Sequence, residues 1–524
     1  MENVDEKQDY KQEIIQLNNR IEELEALAKK QSERIEELEA LVKYYEEQLR
    51  LKVKKQFGPS SEKTKEQEET QGVFNEVEDE SNKKVKEPSL EDITQKGKKR
   101  VGKREEDLAS LPVVEIEYKL PEDEMVCPEC GEPLHQMSKE IRREIDIIPA
   151  QVRIINHVQY IYSCRACENN GISVPIIKAS AGESLIKGSL ASPSSVTHIM
   201  FQKYVNAVPL YRIEQGLLSD GIELSRQTMA NWLLKSTEDY LSPLYECMKE
   251  ELIKRNVLHA DETEVQVLHE EGRKATTNSY MWLYRTSGDT NHSIVLYEYQ
   301  PTRSSSHPKN FLDGFQGFLH TDGYSGYHNL SEVIIIVGCW SHLRRYFHDA
   351  LKAMPEGTQS GSNAEKGVDF CNQLFKLERD FEGLTFEERY TKRLEQSKPI
   401  ADSFFSWINS IKDKTLPKSA LGKAVTYAIN QKVYLENVFL DGRLELSNNR
   451  AERSMKVFVI GRKNWLFSNT KRGAVVSSMI YSIIETAKEN GLNVFKYIKY
   501  LLENIPNTPV SGISNFLPWN VTLD

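Results

Sequence analysis

The sequence has no long apolar run, few cysteines and no excess of positive charge. Without about 18 consecutive apolar residues, no segment predicts a membrane-spanning helix, and the first residues lack the basic-then-apolar order of a signal peptide. Seven cysteines occur in 524 residues, and four of them form two CxxC pairs, a pattern that favours metal binding over disulfides in a reducing compartment. We therefore expect a cytoplasmic protein with no membrane partner.

The formal net charge of −10 argues against a protein that binds nucleic acid over its whole surface, because phosphate contacts need local Lys and Arg. Positive charge is instead concentrated between residues 442 and 473, where Lys and Arg clearly outnumber the acids. A chain of this length predicts roughly three or four folded units. Any DNA-binding surface should therefore be local and confined to part of the chain.

Apolar residues recur at heptad spacing from Ile14 to Leu49, with Glu, Lys and Arg between them. This pattern predicts a coiled coil over residues 1–56, with a second copy of the chain as its simplest partner, and hence a homodimer or higher oligomer. The alternative is a solitary charged helix packed on its own protein. Residues 57–110 begin with Phe-Gly-Pro and are rich in Glu, Lys, Gln and Ser, which predicts a flexible charged linker.

The two CxxC pairs lie in a module predicted over residues 111–180. Cys127 with Cys130 and Cys164 with Cys167 offer four thiolates on two turns, which can close a tetrahedral Zn²⁺ site with no open position. Such a site is structural. The gap between the pairs is long, but alternating residues at 144–148 and 152–162 predict two strands that return the second pair to the first. Four buried free cysteines are the alternative.

A helical region predicted over residues 185–252 contains a pair of helices that resembles a helix-turn-helix. The first helix ends near Gly221, and Ser225 is suited to cap the second. Arg226, Gln227 and Asn231 fall on the outer face of the second helix, where they could contact DNA. A plain helical hairpin packed against the core is the alternative.

Two acids fall at strand positions within residues 255–343. A strand at 257–265 carries Asp261, two more strands are predicted at 280–286 and 293–299, and a fourth from 317 ends at Asp322, before one at 333–337. Three antiparallel strands with an acid on the first, and another acid on the fourth, resemble the ribonuclease-H-like core of DDE transposases and retroviral integrases. Glu262 and Glu264 are alternatives to Asp261, although strand alternation places Glu262 on the opposite face.

In that superfamily a helix brings a third acid, and Glu452 has the best context for this role. Ser447 or a neighbouring Asn can cap a helix whose first turns place Glu452 beside Arg453. Phosphodiester chemistry needs such a set because two carboxylate-bridged divalent ions activate the attacking oxygen and stabilise the leaving one. Carboxylate oxygens suit Mg²⁺ or Mn²⁺. Glu445 and Glu485 are rival third acids.

Together these motifs make the sequence similar to the IS66 family of transposases over essentially its whole length. The matching segments share the family's order along the chain: Phe-Gly-Pro-Ser-Ser-Glu-Lys at 57–63, the two CxxC pairs, Asp-Gly-Tyr at 322–324, Gly-Cys-Trp-Ser-His-Leu-Arg-Arg at 338–345, Asn-Asn-Arg-Ala-Glu-Arg at 448–453, Gly-Arg-Lys-Asn-Trp-Leu-Phe at 461–467 and Leu-Pro-Trp-Asn at 517–520.

The resemblance implies a multidomain α+β protein with a ribonuclease-H-like α/β/α catalytic core. The core would comprise residues 255–343 and 441–490, separated by a helical insertion at 344–440 and followed by a C-terminal helix and tail at 491–524. Asp261, Asp322 and Glu452 would be the catalytic residues and would bind two Mg²⁺ or Mn²⁺ ions. Further DNA contacts are expected from six basic residues: Arg344, Arg345, Arg453, Lys456, Arg462 and Lys463.

By the same resemblance, the protein binds the ends of an insertion sequence, cleaves their 3′ ends and transfers them into target DNA. It would act in the bacterial cytoplasm and associate with the nucleoid when bound to DNA, with small companion proteins of the same element as further partners. Two alternatives stay open from the residues alone: a catalytically silent DNA-binding or regulatory remnant of a transposase, and a nuclease that cuts without joining.

Overall fold

The computed structural model describes part of residues 20–46, residues 152–163, 169 and 176–179, and residues 184–355 and 357–523. They belong to two compact units, one of residues 59–181 and one of the remaining chain. Every described residue between 20 and 46 is helical, and the apolar residues there, such as Ile21 and Val42, are 52% and 58% exposed. The predicted helix is present at these positions, while its self-association stays a prediction.

In the 59–181 unit the described residues form a small antiparallel sheet of β1 (Ile161–Ser163) and β2 (Ile176–Lys178). The strand predicted over 152–162 is therefore too long, because residues 152–160 are exposed and have no regular secondary structure. Their alternation has no core face to bury in the described part of the unit. The partner predicted at 144–148 lies outside the described residues, as do Cys127, Cys130, Cys164 and Cys167.

Within residues 184–256, four α-helices precede the large sheet: α1 (Pro193–Met200), α2 (Leu210–Ser219), α3 (Arg226–Ser236) and α4 (Ser242–Ile253). Gly221 has a φ of +81° in the turn between α2 and α3, a conformation that favours glycine. Ser225 Oγ accepts a hydrogen bond from Thr228 N at 3.2 Å, which confirms the predicted cap. The inner face of α3 buries Met229 and Trp232 in the main core.

The sheet that positions the acids runs in the order β5-β4-β3-β6-β7. Its strands are β3 (Val257–His269), β4 (Asn278–Thr286), β5 (Val295–Gln300), β6 (Gly317–His320) and β7 (Ile334–Val337). The first three pair antiparallel, as the alternating pattern predicted, whereas β6 pairs parallel to both β3 and β7. Helix α5 (Ser306–Phe311) lies in the connection between β5 and β6.

Between β7 and residue 448, the described residues form six α-helices and confirm the helical pattern predicted there: α6 (Trp340–Ala353), α7 (Asn363–Asp380), α8 (Phe386–Lys392), α9 (Lys398–Ile411), α10 (Ala420–Asn430) and α11 (Lys432–Glu436). They enclose a second hydrophobic core, in which Trp340, Phe347 and Phe404 pack edge to face. Because β7 residue Val337 belongs to this core, the insertion is anchored on the sheet.

The chain then returns to the sheet through α12 (Asn449–Trp465), β8 (Ser468–Thr470), α13 (Lys471–Glu489) and α14 (Val494–Asn504). Strand β8 pairs with the end of β3. On α13, Ser482 Oγ and Thr486 Oγ1 accept hydrogen bonds from Tyr297 N and Val295 N of β5, at 2.8 and 3.0 Å. Among the described residues, none of these helices combines the length and apolar character needed to cross a membrane.

Candidate active site

Two neighbouring parallel strands carry the first two predicted acids to the same edge of the sheet. His259 on β3 is in register with His320 on β6, and Asp261 and Asp322 each lie two residues further along. Asp322 Oδ1 accepts a hydrogen bond from Tyr324 N at 3.0 Å, which shapes the loop that follows β6. The strand order therefore brings together two residues that are distant in sequence.

The third predicted acid, Glu452, lies in the first turn of α12. Its Oε2 is 3.4 Å from Arg345 Nη2, and its Oε1 is 3.7 Å from His342 Nδ1. Both partners lie on α6, which starts three residues after β7 ends. The motif at 338–345 thus supplies cationic and imidazole groups to the third acid.

The charges of the three acids act on one another. Burial raises the pKa of Asp261 well above its ordinary value, and the neighbouring carboxylates of Glu262, Asp322 and Glu452 raise it further. A carboxylate at 261 is therefore costly in the metal-free protein, because burial and like charges both disfavour its ionised form. Clusters of this kind are characteristic of metal and catalytic sites.

Glu262, the first alternative to Asp261, acts electrostatically on Asp261 but is hydrogen-bonded to other residues. Its side chain is only 1% exposed, and it accepts hydrogen bonds from Tyr327 Oη at 2.6 Å and Arg303 Nε at 2.9 Å. Glu264, the second alternative, is exposed further along β3, opposite Tyr280. Glu262 is thus committed to neighbours within the fold.

The rival third acids are also engaged elsewhere. Glu445 Oε1 accepts a hydrogen bond from Arg450 Nε at 2.9 Å. Glu485 is buried on α13 and pairs with Lys488 Nζ at 2.7 Å, one turn along the same helix. Each rival carboxylate has a cationic partner at 2.9 or 2.7 Å, closer than the 3.4 Å between Arg345 Nη2 and Glu452 Oε2.

Asn448, immediately before α12, connects the elements that carry the acids. It is fully buried, its Oδ1 lies 2.9 Å from His259 Nδ1, and its Nδ2 donates to Ala260 O at 2.8 Å. Its backbone N donates to Cys339 Sγ at 3.2 Å. The prediction that Ser447 or a neighbouring Asn caps α12 is wrong, because Asn448 occupies the cap position but directs its side chain to β3.

His259 is held in its neutral form at physiological pH. Burial lowers the pKa of its imidazole to about 3, and the ring stacks on His320 with centroids 4.3 Å apart. Its Nδ1 can therefore donate to Asn448 Oδ1 without introducing a buried charge. Neither His259 nor Asn448 was singled out from the sequence as a site residue, although Asn448 begins the Asn-Asn-Arg-Ala-Glu-Arg motif.

The donor set fits hard divalent cations such as Mg²⁺ or Mn²⁺. Asp261 and Asp322 lie at one edge of the sheet, Glu452 acts electrostatically on Asp261, and within the described part of the chain no hydrogen-bond donor reaches the buried Oε1 of Glu452. Cys339, His342 and Glu452 also place ligand atoms within 4.8 Å of one another. Burial raises the pKa of Cys339 to about 11, however, which disfavours the thiolate that a softer metal would require.

The insertion contacts the loop of the second acid. Tyr427 Oη donates to Asp322 O at 2.9 Å, and Gln431 Nε2 donates to Gly323 O at 3.4 Å. Gly323 has a φ of +93°, and a Cβ there would lie 3.0 Å from Tyr427 Oη. The glycine of the Asp-Gly-Tyr motif therefore allows this close approach. No sequence signal marked Tyr427 or Gln431.

The basic residues predicted to contact DNA occupy different environments. Arg453, Lys456 and Lys463 are exposed on α12, because its other face packs on the sheet. Arg462 Nη1 donates to Thr263 Oγ1 at 3.4 Å, two residues beyond Asp261 on β3. Of the α6 pair, Arg345 contacts Glu452 as described, and Arg344 Nε donates to Asn372 Oδ1 at 2.8 Å.

The outer face of α3 is exposed, as predicted. Arg226, Gln227 and Asn231 are all exposed, and Arg226 also lies over the ring of Tyr211 at 5.8 Å. The helical pair therefore packs on the core through one face and leaves the other accessible. Its contact with DNA stays a prediction.

Replacing Asp261 by Asn is expected to stabilise the metal-free protein. Because the folded state raises the pKa of Asp261, it binds this proton more tightly than the unfolded state. Stability is thus retained below the unfolded pKa and lost as the pH rises through the folded pKa. At pH 7 the Asn variant lacks this penalty, so Tm should rise by roughly 2–4 °C for each kcal/mol relieved.

Thermal unfolding in the presence of a chelator measures this effect. Glu264→Gln, an exposed change on the same strand, is the matched control and should leave Tm unchanged. A lower Tm for Asp261→Asn would contradict the repulsive environment assigned to this carboxyl.

Comparison with known proteins places the chain in the class of transposases. The family model described as "Transposase IS66 family" matches residues 188–476, which include all three acids. Three further models match other parts: "zinc-finger binding domain of transposase IS66" at 124–168, "IS66 C-terminal element" at 482–519 and "Transposase C of IS166 homeodomain" at 44–116. The chain belongs to the IS66 family of transposases.

Two similar proteins are described only as uncharacterized. The uncharacterized protein y4qI of Sinorhizobium fredii is 30% identical over 401 residues, which cover 72% of this chain and 71% of that protein. The uncharacterized protein y4jD of the same organism is 28% identical over 414 residues, covering 76% of this chain and 78% of that protein. Family membership implies DNA as a partner and a divalent metal as a cofactor.

Proposed function

We propose that the protein catalyses 3′-end cleavage and strand transfer for an insertion sequence, with Asp261, Asp322 and Glu452 as its catalytic residues. The observation that carries this proposal is the register of β3 and β6, which brings Asp261 and Asp322 to the same edge of the sheet, with Glu452 close enough for its charge to act on the buried Asp261. The strand order β5-β4-β3-β6-β7, with acids on β3 and after β6, supports a ribonuclease-H-like core.

Two Mg²⁺ or Mn²⁺ ions, when bound, would activate the attacking oxygen and stabilise charge on the leaving oxygen. Asp261, Asp322 and Glu452 would hold these ions through their carboxylate oxygens. Arg345 and His342 orient the Glu452 carboxylate, and Asn448 fixes the start of the helix that carries it.

Basic residues on α12 and polar residues on α3 would bind and orient DNA. Arg453, Lys456 and Lys463 project from α12 beside the acids and would neutralise backbone phosphates, with Arg462 held against β3 by Thr263. The exposed outer face of α3 would contact bases or backbone of the element ends. No covalent protein intermediate is needed, because water and then the freed 3′-OH act as nucleophiles.

Two further assignments belong to the same proposal. Cys127, Cys130, Cys164 and Cys167 hold a structural Zn²⁺, supported by the zinc-finger family model over these residues, and the zinc content of the purified chain tests it. The exposed apolar stripe between residues 20 and 46 supports self-association through a coiled coil, which light scattering of the full chain tests. Nucleoid association would follow from DNA binding.

A strand-transfer assay tests the proposal. Duplexes that end in a pre-cut 3′-OH, carrying the terminal repeats of the element, are incubated with the full chain, Mg²⁺ and plasmid. Joined product is the expected result. Cleavage of intact ends without joining would instead indicate a nuclease, and chelator-insensitive end binding without nicking under any metal would indicate a silent remnant.

A further inference from the structure

An open cleft of about 680 Å³ lies beside Asp322. Its walls come from the loop after β6 and from α6, α10 and α11, so it extends from the candidate active site towards the helical insertion. Asp322 and His342 line it on the side of the acids. Whatever occupies the cleft therefore lies next to the reacting phosphate of the proposed function.

Aromatic rings dominate the other walls of the cleft. Tyr346 and Tyr427 lie with ring centroids 4.7 Å apart, and His328 stacks on Tyr434 at 4.2 Å. Tyr346 is 39% exposed, although it belongs to a helix whose opposite face is fully buried. A planar ligand could therefore stack on this ring, since offset stacking needs an accessible face.

Two buried polar atoms on the cleft walls have no hydrogen-bond partner within the described residues. Gln431 is only 6% exposed, and because its Nε2 donates to Gly323 O, its Oε1 is left to accept. His328 Nε2 is also a buried atom with no hydrogen-bond partner among these residues. Buried polar atoms are rarely left unpaired, so these two atoms indicate a ligand with N–H donors or ring acceptors at its edge.

We propose that this cleft binds a nucleobase turned out of the DNA duplex beside the phosphate held at Asp261, Asp322 and Glu452. A nucleobase combines a flat π face with N–H donors and acceptors on its edge, and only a base that has left the helical stack exposes both. The inference rests on the proposed function, because it takes DNA as the source of the base.

Arg303 supports the phosphate end of such a ligand. It lines the cleft, its guanidinium lies 3.8 Å from the ring centroid of Tyr324, and its side chain is partly exposed. The extruded nucleotide would thus have its base between aromatic rings and its backbone near a cation. Stacking of the base on protein aromatics can offset the free energy lost when the base leaves the duplex.

A double-mutant cycle, in which the Tyr346 ring and single DNA bases are removed separately and together, tests the inference. The parent protein carries Asp261→Asn, which removes catalysis. Its binding to element ends is compared with that of a double variant that carries both Asp261→Asn and Tyr346→Ala. Duplexes of the element ends are used intact or lacking one base at each position around the cleavage site. Tyr346→Ala should weaken binding by about 10- to 100-fold on the intact duplex, and less than about twofold where the extruded base is missing.

Controls isolate the ring and the source of the base. Tyr346→Phe should bind like the parent, and Tyr390→Ala, an equally exposed tyrosine on α8, should have no effect. Free deoxynucleosides should not compete with the duplex at comparable concentration. An equal loss from Tyr346→Ala on every duplex, no loss on the intact one, or full competition by free nucleosides would overturn the inference.

The binding cycle is independent of catalysis. If the unmodified chain neither cleaves nor joins element ends, the proposed function fails while the cycle still decides whether a base enters the cleft. If cleavage and joining occur but the effect of Tyr346→Ala is the same on every duplex, the inference of an extruded base is wrong and the proposed function stands.

Discussion

Replacing Glu452 by Gln is expected to lower the rate of 3′-end cleavage by about a thousandfold or more. The amide keeps the size of the side chain but removes the charge, and a metal site of this kind contributes several kcal/mol of charge stabilisation to the transition state. The position on the first turn of α12, against Arg345 and His342, should be retained. Single-turnover cleavage of labelled end duplexes with Mg²⁺ measures the loss.

The rival acids provide matched controls for this result. Glu445→Gln and Glu485→Gln remove carboxylates that already pair with Arg450 and Lys488, so each should leave cleavage within about tenfold of the parent. End binding should be similar for all three variants. Loss of cleavage in Glu445→Gln or Glu485→Gln, with Glu452→Gln still active, would reassign the third acid.

Replacing Asn448 by Ala is expected to reduce both stability and cleavage. The change leaves the buried Ala260 O and His259 Nδ1 without their partner, which costs about 1–3 kcal/mol for each group. It also frees the start of α12 from β3, and a misplacement of about 1 Å at a catalytic group can cost roughly a hundredfold in rate. Urea unfolding and cleavage well below the unfolding temperature measure the two effects separately.

The dependence of cleavage on metal separates a positioning role for Asn448 from a purely structural one. If Asn448 sets the distance between the Glu452 helix and Asp261, the Mg²⁺ concentration for half-maximal cleavage should rise in the Ala variant. Asn449→Ala, the adjacent change, is the control and should leave this concentration unchanged. An unaltered metal requirement in Asn448→Ala, with only stability reduced, would contradict the positioning role.

The strands that carry or precede the two aspartates could be predicted from local patterns. Alternating residues around Asp261 predicted β3, and the short apolar run before Asp322 predicted β6, because period-two alternation reflects burial of one sheet face. Ser225 likewise predicted the start of α3, since a cap acts within four residues. The same alternation failed at residues 152–160, which are exposed and have no regular secondary structure.

Contacts between distant segments were not accessible from such patterns. The sequence suggested that an Asn at this position caps α12. The Asn448 side chain instead hydrogen-bonds to His259 and Ala260 of β3, and this contact depends on tertiary packing. Tyr427 and Gln431 reach the Asp322 loop from a helix in the insertion, and nothing in their immediate sequence marks them. The exposure of the Tyr346 ring depends on how the elements around the cleft pack, so the sequence around Tyr346 does not predict it.

The clustered acids also explain why the site is strained in the absence of metal. A raised pKa at Asp261 means that the fold buries this carboxyl and places other acids near it, and both effects disfavour its charged form. Natural sites often trade stability for function in this way. The stabilisation expected for Asp261→Asn in chelator and the loss of cleavage expected for Glu452→Gln are therefore two consequences of one arrangement.

The most direct test of metal-dependent transposition chemistry at these three acids is cleavage of labelled element ends by the purified full chain. With Mg²⁺, the chain should produce a nick that leaves a 3′-OH at the element end and then join that end to target DNA. With Asp261→Asn, both products should disappear while the ends are still bound. Undiminished cleavage and joining by Asp261→Asn would contradict the account.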